Sequence, residues 1–184
     1  SDVVEVRIEH VEGRAVIEVR DWGEGMTREI IDRRLTRLFS SRKDGDRTKI
    51  GKFGIGFVSI FAIEPDAVTV DTGREGESWR VLFRADRSFV RLALDRPVEG
   101  TTVRLYKTMD AAGFAELERR SREVVTYWCR FTRAEVRVQG EPIGEPFGLD
   151  APCEVQVDGP DGRFAVGLRR DLEPSFGFFN RGLT

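Results

Sequence analysis

Two runs near the start, VVEVRIEH and RAVIEVR, alternate apolar with polar residues on either side of VEG. A period of two does not fit a helix, so the chain opens in a β-hairpin with one buried face. The signature returns in AVTVDT, SWRVLFRA, SFVRLAL and TTVRLYK, separated by the turn formers GREGE and DRPVEG. It returns again in AEVRVQG, CEVQVDGPDG, RFAVGLRR and FGFFNRG. Helical spacing interrupts it three times. TREIIDRRLTRLF places Ile30, Ile31, Leu35 and Leu38 on one side, with Thr27 as N-cap. IGKFGIGFVSIFAI predicts a short buried helix that ends before Pro65. MDAAGFAELERRSREVVTYWCRF is the longest amphipathic stretch. Sequential strands punctuated by a few helices predict an α+β layered sandwich, not a doubly wound α/β fold.

At 184 residues the chain is long enough to bury a core without disulfides or metals. Residues 1–140 read as the main unit. The segment GEPIGEPFGLDAP, residues 140–152, holds three of the seven prolines and marks a boundary. Residues 141–184 then form a strand-rich extension or the start of a following domain. Both termini read as interior sequence, so a fragment of a longer polypeptide is expected. The formal net charge of −2 gives no overall field for nucleic acid or anionic membrane. No run approaches the roughly 20 apolar residues of a membrane span. No signal-peptide pattern opens the chain, which makes cytoplasm the default. Cys129, Cys153 and the single His10 assemble neither a zinc spacing nor a Cys/His nucleophile pair, and Cys129 reads as a buried free thiol. The chain is expected to hold no metal on its own.

Three stretches carry chemistry. Asp21 closes a strand and precedes Trp22-Gly23-Glu24-Gly25-Met26. It is either a turn-forming Asx residue or a carboxylate at a pocket edge, placed to accept from an exocyclic amine. In the second case Gly23 and Gly25 leave room for a flat ring, with the polarizable Met26 beneath it. Gly51, Gly54 and Gly56 lead into a helix N-terminus, which suits phosphate, although close packing of a buried helix explains them equally. They lack the Gly-Lys-Ser/Thr ending of a P-loop and do not follow a strand as a Rossmann fingerprint must. From Arg28 to Lys52 there are nine Lys/Arg against four Asp/Glu, a local positive excess running into those glycines. Finally, Gly100-Thr101 opens a strand that fits beside the one ending in Asp21. Thr101 is then a plain sheet residue or shares a water with Asp21.

In this order, DWGEGM, a helix, a basic polar loop, GKFGIGF and GTTVRL resemble the ATP-binding domain of the GHKL superfamily. That group includes gyrase, heat-shock-protein-90 chaperones, histidine kinases and the mismatch-repair protein MutL. The chain is most similar to the chaperone, HtpG-like branch. Its adenine motif is matched by Asp21, Gly23, Gly25 and Met26, and its phosphate motif by Gly51, Phe53, Gly54, Gly56 and Phe57. The resemblance runs well over residues 1 to about 108. It implies a Bergerat-type two-layer α/β sandwich with a mixed sheet and extra C-terminal strands. It further implies that Asp21 reads adenine with Thr101 in support. Gly51, Lys52, Phe53, Gly54, Ile55, Gly56 and Phe57 then line the phosphates, Lys52 being either a phosphate contact or a solvated lid residue. Residues 40–50 correspond to a lid, expected to be mobile without nucleotide.

The resemblance also implies what to look for elsewhere. In the family, a helix before the first hairpin carries a glutamate base and a magnesium-binding asparagine, and the present sequence begins after that point. The catalytic residues are therefore unknown, and Mg²⁺ is expected only in a complete parent site. ATP or ADP is the implied ligand, with client proteins and a homodimer as partners of the parent. The alternatives are a GHKL histidine or serine kinase domain, and an interaction module that kept the fold without turnover.

Overall fold

The computed structural model describes residues 2–36, 55–149, 151, 153–159, 162–168, 170 and 177. The first hairpin pairs β1 (Val3–Val11) with β2 (Arg14–Asp21). After a loop comes α1, an α-turn over Arg28–Ile30 that continues as a π-turn over Ile31–Leu35. Next is α2, Ile55–Val58, continued by a 3₁₀ turn over Ser59–Ile63. Four strands follow: β3 (Ala67–Arg74), β4 (Glu77–Arg84), β5 (Phe89–Ala93) and β6 (Gly100–Thr108). The long helix α3 (Ala111–Cys129) leads to β7 (Glu135–Val138) and β8 (Glu141–Pro142). All eight strands join one sheet in the order β5-β4-β3-β6-β2-β1-β7-β8. Among the described pairs only β1 and β7 run parallel, which makes the sheet mixed. A separate two-stranded sheet pairs β9 (Cys153–Gly159) with β10 (Gly162–Leu168).

Register decides which residues meet. Ile17, Leu105, Val68, Phe83 and Phe89 lie in one row across β2, β6, β3, β4 and β5. Directly paired residues share a face, so this row and those two residues away along each strand form one apolar surface. Ile31 of α1 and Phe61 after α2 bury against it, with Val68, Val70, Val81 and Phe83 almost completely covered. Further along the same face, Phe114 and Val125 of α3 cover Val6, Ile8 and Val138. Each such side chain contributes about 1.5–3 kcal/mol on burial. Both helical groups therefore occupy one layer over one sheet face, the expected α+β sandwich.

The opposite phase of the central strands carries an ion cluster. Asp71 pairs in register with Arg80 and Thr102, and Arg104 with Glu18. Arg80 makes two bonds to the Asp71 carboxylate, at 2.5 and 2.6 Å, while Arg104 donates to Asp71 at 3.1 Å and to Glu18 at 2.6 Å. The ion cluster is satisfied across four adjacent strands, which lets a carboxylate sit 2 % exposed in a sheet.

Three sequence expectations need correction in detail. The first helix is not a regular α-helix throughout: Thr36 donates its N–H to the Ile31 carbonyl at 2.9 Å, five residues back, widening the last turn. The second is half 3₁₀ and buries only Phe61 along its 3₁₀ part, although it does stop before Pro65. Cys129 is half-buried, not buried, and desolvation raises its thiol pKa. The loop 40–50 lies outside the described residues, as do Leu38 and most of FGFFNRG.

One device closes a ladder by a side chain. The β1–β7 register ends at Val6 and Val138, and the Gln139 N–H then donates to the Val6 carbonyl at 2.9 Å. The Gln139 side-chain amide takes the place of a strand residue opposite Ile8: its Nε2 donates to the Ile8 carbonyl at 2.6 Å. Its Oε1 accepts the Ile8 N–H at 3.4 Å. Gln139→Met keeps the shape and removes both bonds, and a loss of about 1–2 kcal/mol in urea unfolding is expected.

Candidate nucleotide site

The site is built on one register row. Asp21 of β2 pairs with Thr101 of β6, and Thr101 pairs with Thr72 of β3. The expected adjacency of Asp21 and Thr101 is therefore present. Thr72 is two and four residues from the buried Val70 and Val68, so all three share the inner face. The row sits at the end of the apolar surface, where polar side chains replace valines beneath the helical layer.

Thr72 is fully buried, and its hydroxyl organises the row. It donates to the Gly100 carbonyl at 3.1 Å, accepts the Met26 N–H at 2.9 Å, and lies 3.1 Å from the Thr101 hydroxyl. Sequence reasoning passed over Thr72. The available signal was its phase: a threonine in step with Val68 and Val70 in AVTVDT faces the core and needs polar partners there.

The Asp21 carboxylate spends one oxygen locally. Its Oδ1 accepts the Gly23 N–H at 2.8 Å, an Asx turn that fixes the side-chain rotamer. Its Oδ2 makes no hydrogen bond to the described residues. Of the two sequence readings of Asp21, the turn-forming one is present in the structure.

The glycines divide by role. Gly25 has φ +65°, and a Cβ on it would come within 2.0 Å of the Gly73 carbonyl oxygen. Gly100, at φ +70°, would meet the Asp21 carbonyl oxygen at 2.1 Å, and Gly73 the Val98 carbonyl oxygen at 2.1 Å. The room at Gly25 is therefore taken by backbone from β3, and three distant segments cross there at glycine-only separation. Met26 packs against the core cluster of Ile31 and Phe61, between the loop and the helical layer.

Of the phosphate-motif residues, Phe57 packs on Phe83 with ring centroids 5.4 Å apart. Ile55 and Gly56 begin α2, while Gly51, Lys52, Phe53 and Gly54 lie outside the described residues. A hollow of about 510 Å³ borders Gly23, Gly73 and Gly100 but touches none of Asp21, Met26, Thr72 and Thr101. Among the described residues no group of three or more His, Cys, Asp or Glu converges as a metal site. None of the described helices is long and apolar enough to cross a membrane.

The loop between β2 and α1 is tied to β3 and β4. Arg74 bonds to Glu24 at 3.0 Å. Glu77 Oε2 accepts both the Arg28 N–H and the Trp79 indole N–H at 2.8 Å. The Arg28 N–H is the main reason its carboxyl pKa lies below the usual range. None of Arg74, Glu77 and Trp79 was singled out by sequence motif.

Comparison with known proteins bears on this geometry. Residues 1–117 match the family described as histidine kinase-, DNA gyrase B-, and HSP90-like ATPase. The chain is 34% identical over 126 residues to the chaperone protein HtpG of Anaplasma phagocytophilum, covering 60% of this chain and 20% of the relative. It is 30% identical over 166 residues to HtpG of Methylococcus capsulatus, covering 82% of the chain and 26% of that protein. With HtpG of Idiomarina loihiensis the identity is 30% over 157 residues, 76% of the chain and 24% of the relative. The chain thus spans between a fifth and about a quarter of the length of these curated relatives.

Proposed function

Because the chain belongs to the histidine kinase-, DNA gyrase B- and HSP90-like ATPase family, with HtpG-like relatives, we propose that it binds ATP and ADP through the Asp21–Thr101–Thr72 row. The observation that carries this reading is the Asp21 carboxylate. Its Asx turn fixes the side chain, and Oδ2 is left to accept from an exocyclic amine of the kind adenine carries. The Thr101 hydroxyl, one strand over, supports a ring nitrogen directly or through water. Met26 supplies an apolar contact at the ring. Gly51 to Phe57, Lys52 included, complete the phosphate end at the start of α2, and residues 40–50 act as the lid. Mg²⁺ belongs to the complete parent site, and no described residue is assigned to hold it.

In this reading residues 1–140 are the nucleotide-binding unit of a chaperone-type ATPase, and residues 141–184 are an extension of it. Nucleotide closes the lid and changes the conformation presented to a second copy or to a client protein in the cytoplasm. No water-activating base is assigned within the chain. Calorimetric titration of the chain with ADP and with ATP, each with and without Mg²⁺, tests the reading. Saturable heat with ADP is expected, and GDP, which carries a carbonyl where adenine carries its amine, should bind at least about tenfold more weakly. Equal affinity for ADP and GDP, or no heat with any nucleotide, would contradict it.

A further inference from the structure

The segment from Trp22 to Thr27 has no regular structure, yet the proposed adenine contacts lie in it and beside it. Three ties from one hairpin, β3–β4, set its position. The first is the buried hydroxyl of Thr72 on the Met26 N–H. The second is the Arg74–Glu24 pair, whose glutamate side chain is 84% exposed, a geometry that contributes little. The third is Glu77, and it differs from both. One of its oxygens takes two donors, the backbone N–H of Arg28 and the indole N–H of Trp79.

Arg28 is the first residue of α1, so its N–H has no partner within the helix. Thr27 satisfies the Ile30 N–H by its own side chain. Glu77 supplies what Thr27 does not, an acceptor delivered from the neighbouring sheet. The same carboxylate orients Trp79, which lies in register with Thr72. The indole is flanked by the guanidinium groups of Arg28 and Arg91, 6.0 and 5.8 Å from the ring centroid. Arg28 and Arg91 both also pair with Asp32 on α1. Helix start, indole and strand edge therefore share one acceptor at their centre.

From this we infer that Glu77 is a positioning residue for the nucleotide loop. By holding the Arg28 N–H it fixes where α1 begins, and with it the placement of Met26 relative to Asp21. The inference rests on the nucleotide reading above, but the placement itself is observable without any ligand. Glu77 touches no proposed nucleotide contact directly, and it stands at the exposed start of β4, outside the buried clusters themselves.

Hydrogen exchange over residues 22–30 of the nucleotide-free chain, together with ADP calorimetry, tests it on Glu77→Ala and Glu77→Gln. Alanine should speed exchange of the Arg28 amide by about tenfold and weaken ADP binding by roughly the same factor. Glutamine keeps a carbonyl oxygen for the Arg28 N–H, so it should restore both to within about threefold of wild type. A purely structural role would not separate alanine from glutamine at equal melting temperature. Unchanged exchange in Glu77→Ala overturns the inference, and so does faster exchange with unchanged ADP affinity. If the wild-type chain binds no ADP, the nucleotide reading falls and takes the affinity claim with it. The exchange result then still decides whether Glu77 fixes the loop.

Discussion

Asp71→Ala is expected to lower the stability of the chain by about 3 kcal/mol, a large share of what a domain of this size possesses. The Asp71 carboxylate is 2% exposed and faces Arg80, Arg104 and, at 3.8 Å, Arg96. Removing it takes the hydrogen-bonded carboxylate away from the Arg80 and Arg104 guanidinium groups, with Glu18 left as partner to Arg104 alone. Arg80 is about one-third exposed, so water recovers part of the loss and the figure lies at the lower end for a broken buried pair. Urea unfolding of the variant measures it directly.

The same residue sets an acid limit. Burial by itself would push the Asp71 carboxyl up, but the hydrogen bonds and charges of Arg80, then Arg104, outweigh it and hold the pKa below 3.8. A carboxyl whose folded value lies below its unfolded value stabilises the fold above the unfolded value. That contribution disappears as pH falls through the folded value. Wild-type stability should therefore drop below about pH 4, and the Asp71→Ala chain should show a shallower dependence over that window.

Asp21→Asn is expected to remove nucleotide binding while leaving the fold in place. The substitution is nearly isosteric, and the Asx turn can survive because Asn still offers one oxygen to the Gly23 N–H. That choice turns the amide NH₂ toward the ligand, so an acceptor becomes a donor facing the adenine amine. The flipped amide would set two donors against each other at Gly23 instead. Either arrangement leaves a polar group unpaired, and a loss of about 3 kcal/mol, on the order of a hundredfold in affinity, follows. ADP calorimetry on the variant should show no saturation at concentrations that saturate wild type. The urea midpoint should stay within about 0.5 kcal/mol of the wild-type value.

The sandwich was legible because alternation fixes a strand's inner face without knowledge of its partner. The order of strands and helices then restricted the layers. Asp21 beside Thr101 was legible too, since a strand opening at Gly100 must find a neighbour of matching phase. Other parts depend on contacts between remote segments. The crossing of Gly25, Gly73 and Gly100 is a backbone approach of one loop and two strand ends, and each glycine alone reads as an ordinary turn residue. Glu77 belongs to the turn former GREGE, and nothing local marks it as the acceptor for a helix 49 residues away. The π-turn in α1 escaped because Ile31 and Leu35 fit either winding, and the bond from Thr36 to Ile31 marks the wider one.

The central claim is that nucleotide docks on the Asp21–Thr101–Thr72 row. Amide chemical-shift mapping of the labelled chain during an ADP titration addresses it residue by residue. The account predicts large, saturating shifts at Gly23, Met26 and Thr101, with the β9–β10 hairpin unmoved. Saturating shifts confined to other parts of the chain, with these three amides unchanged, would contradict it.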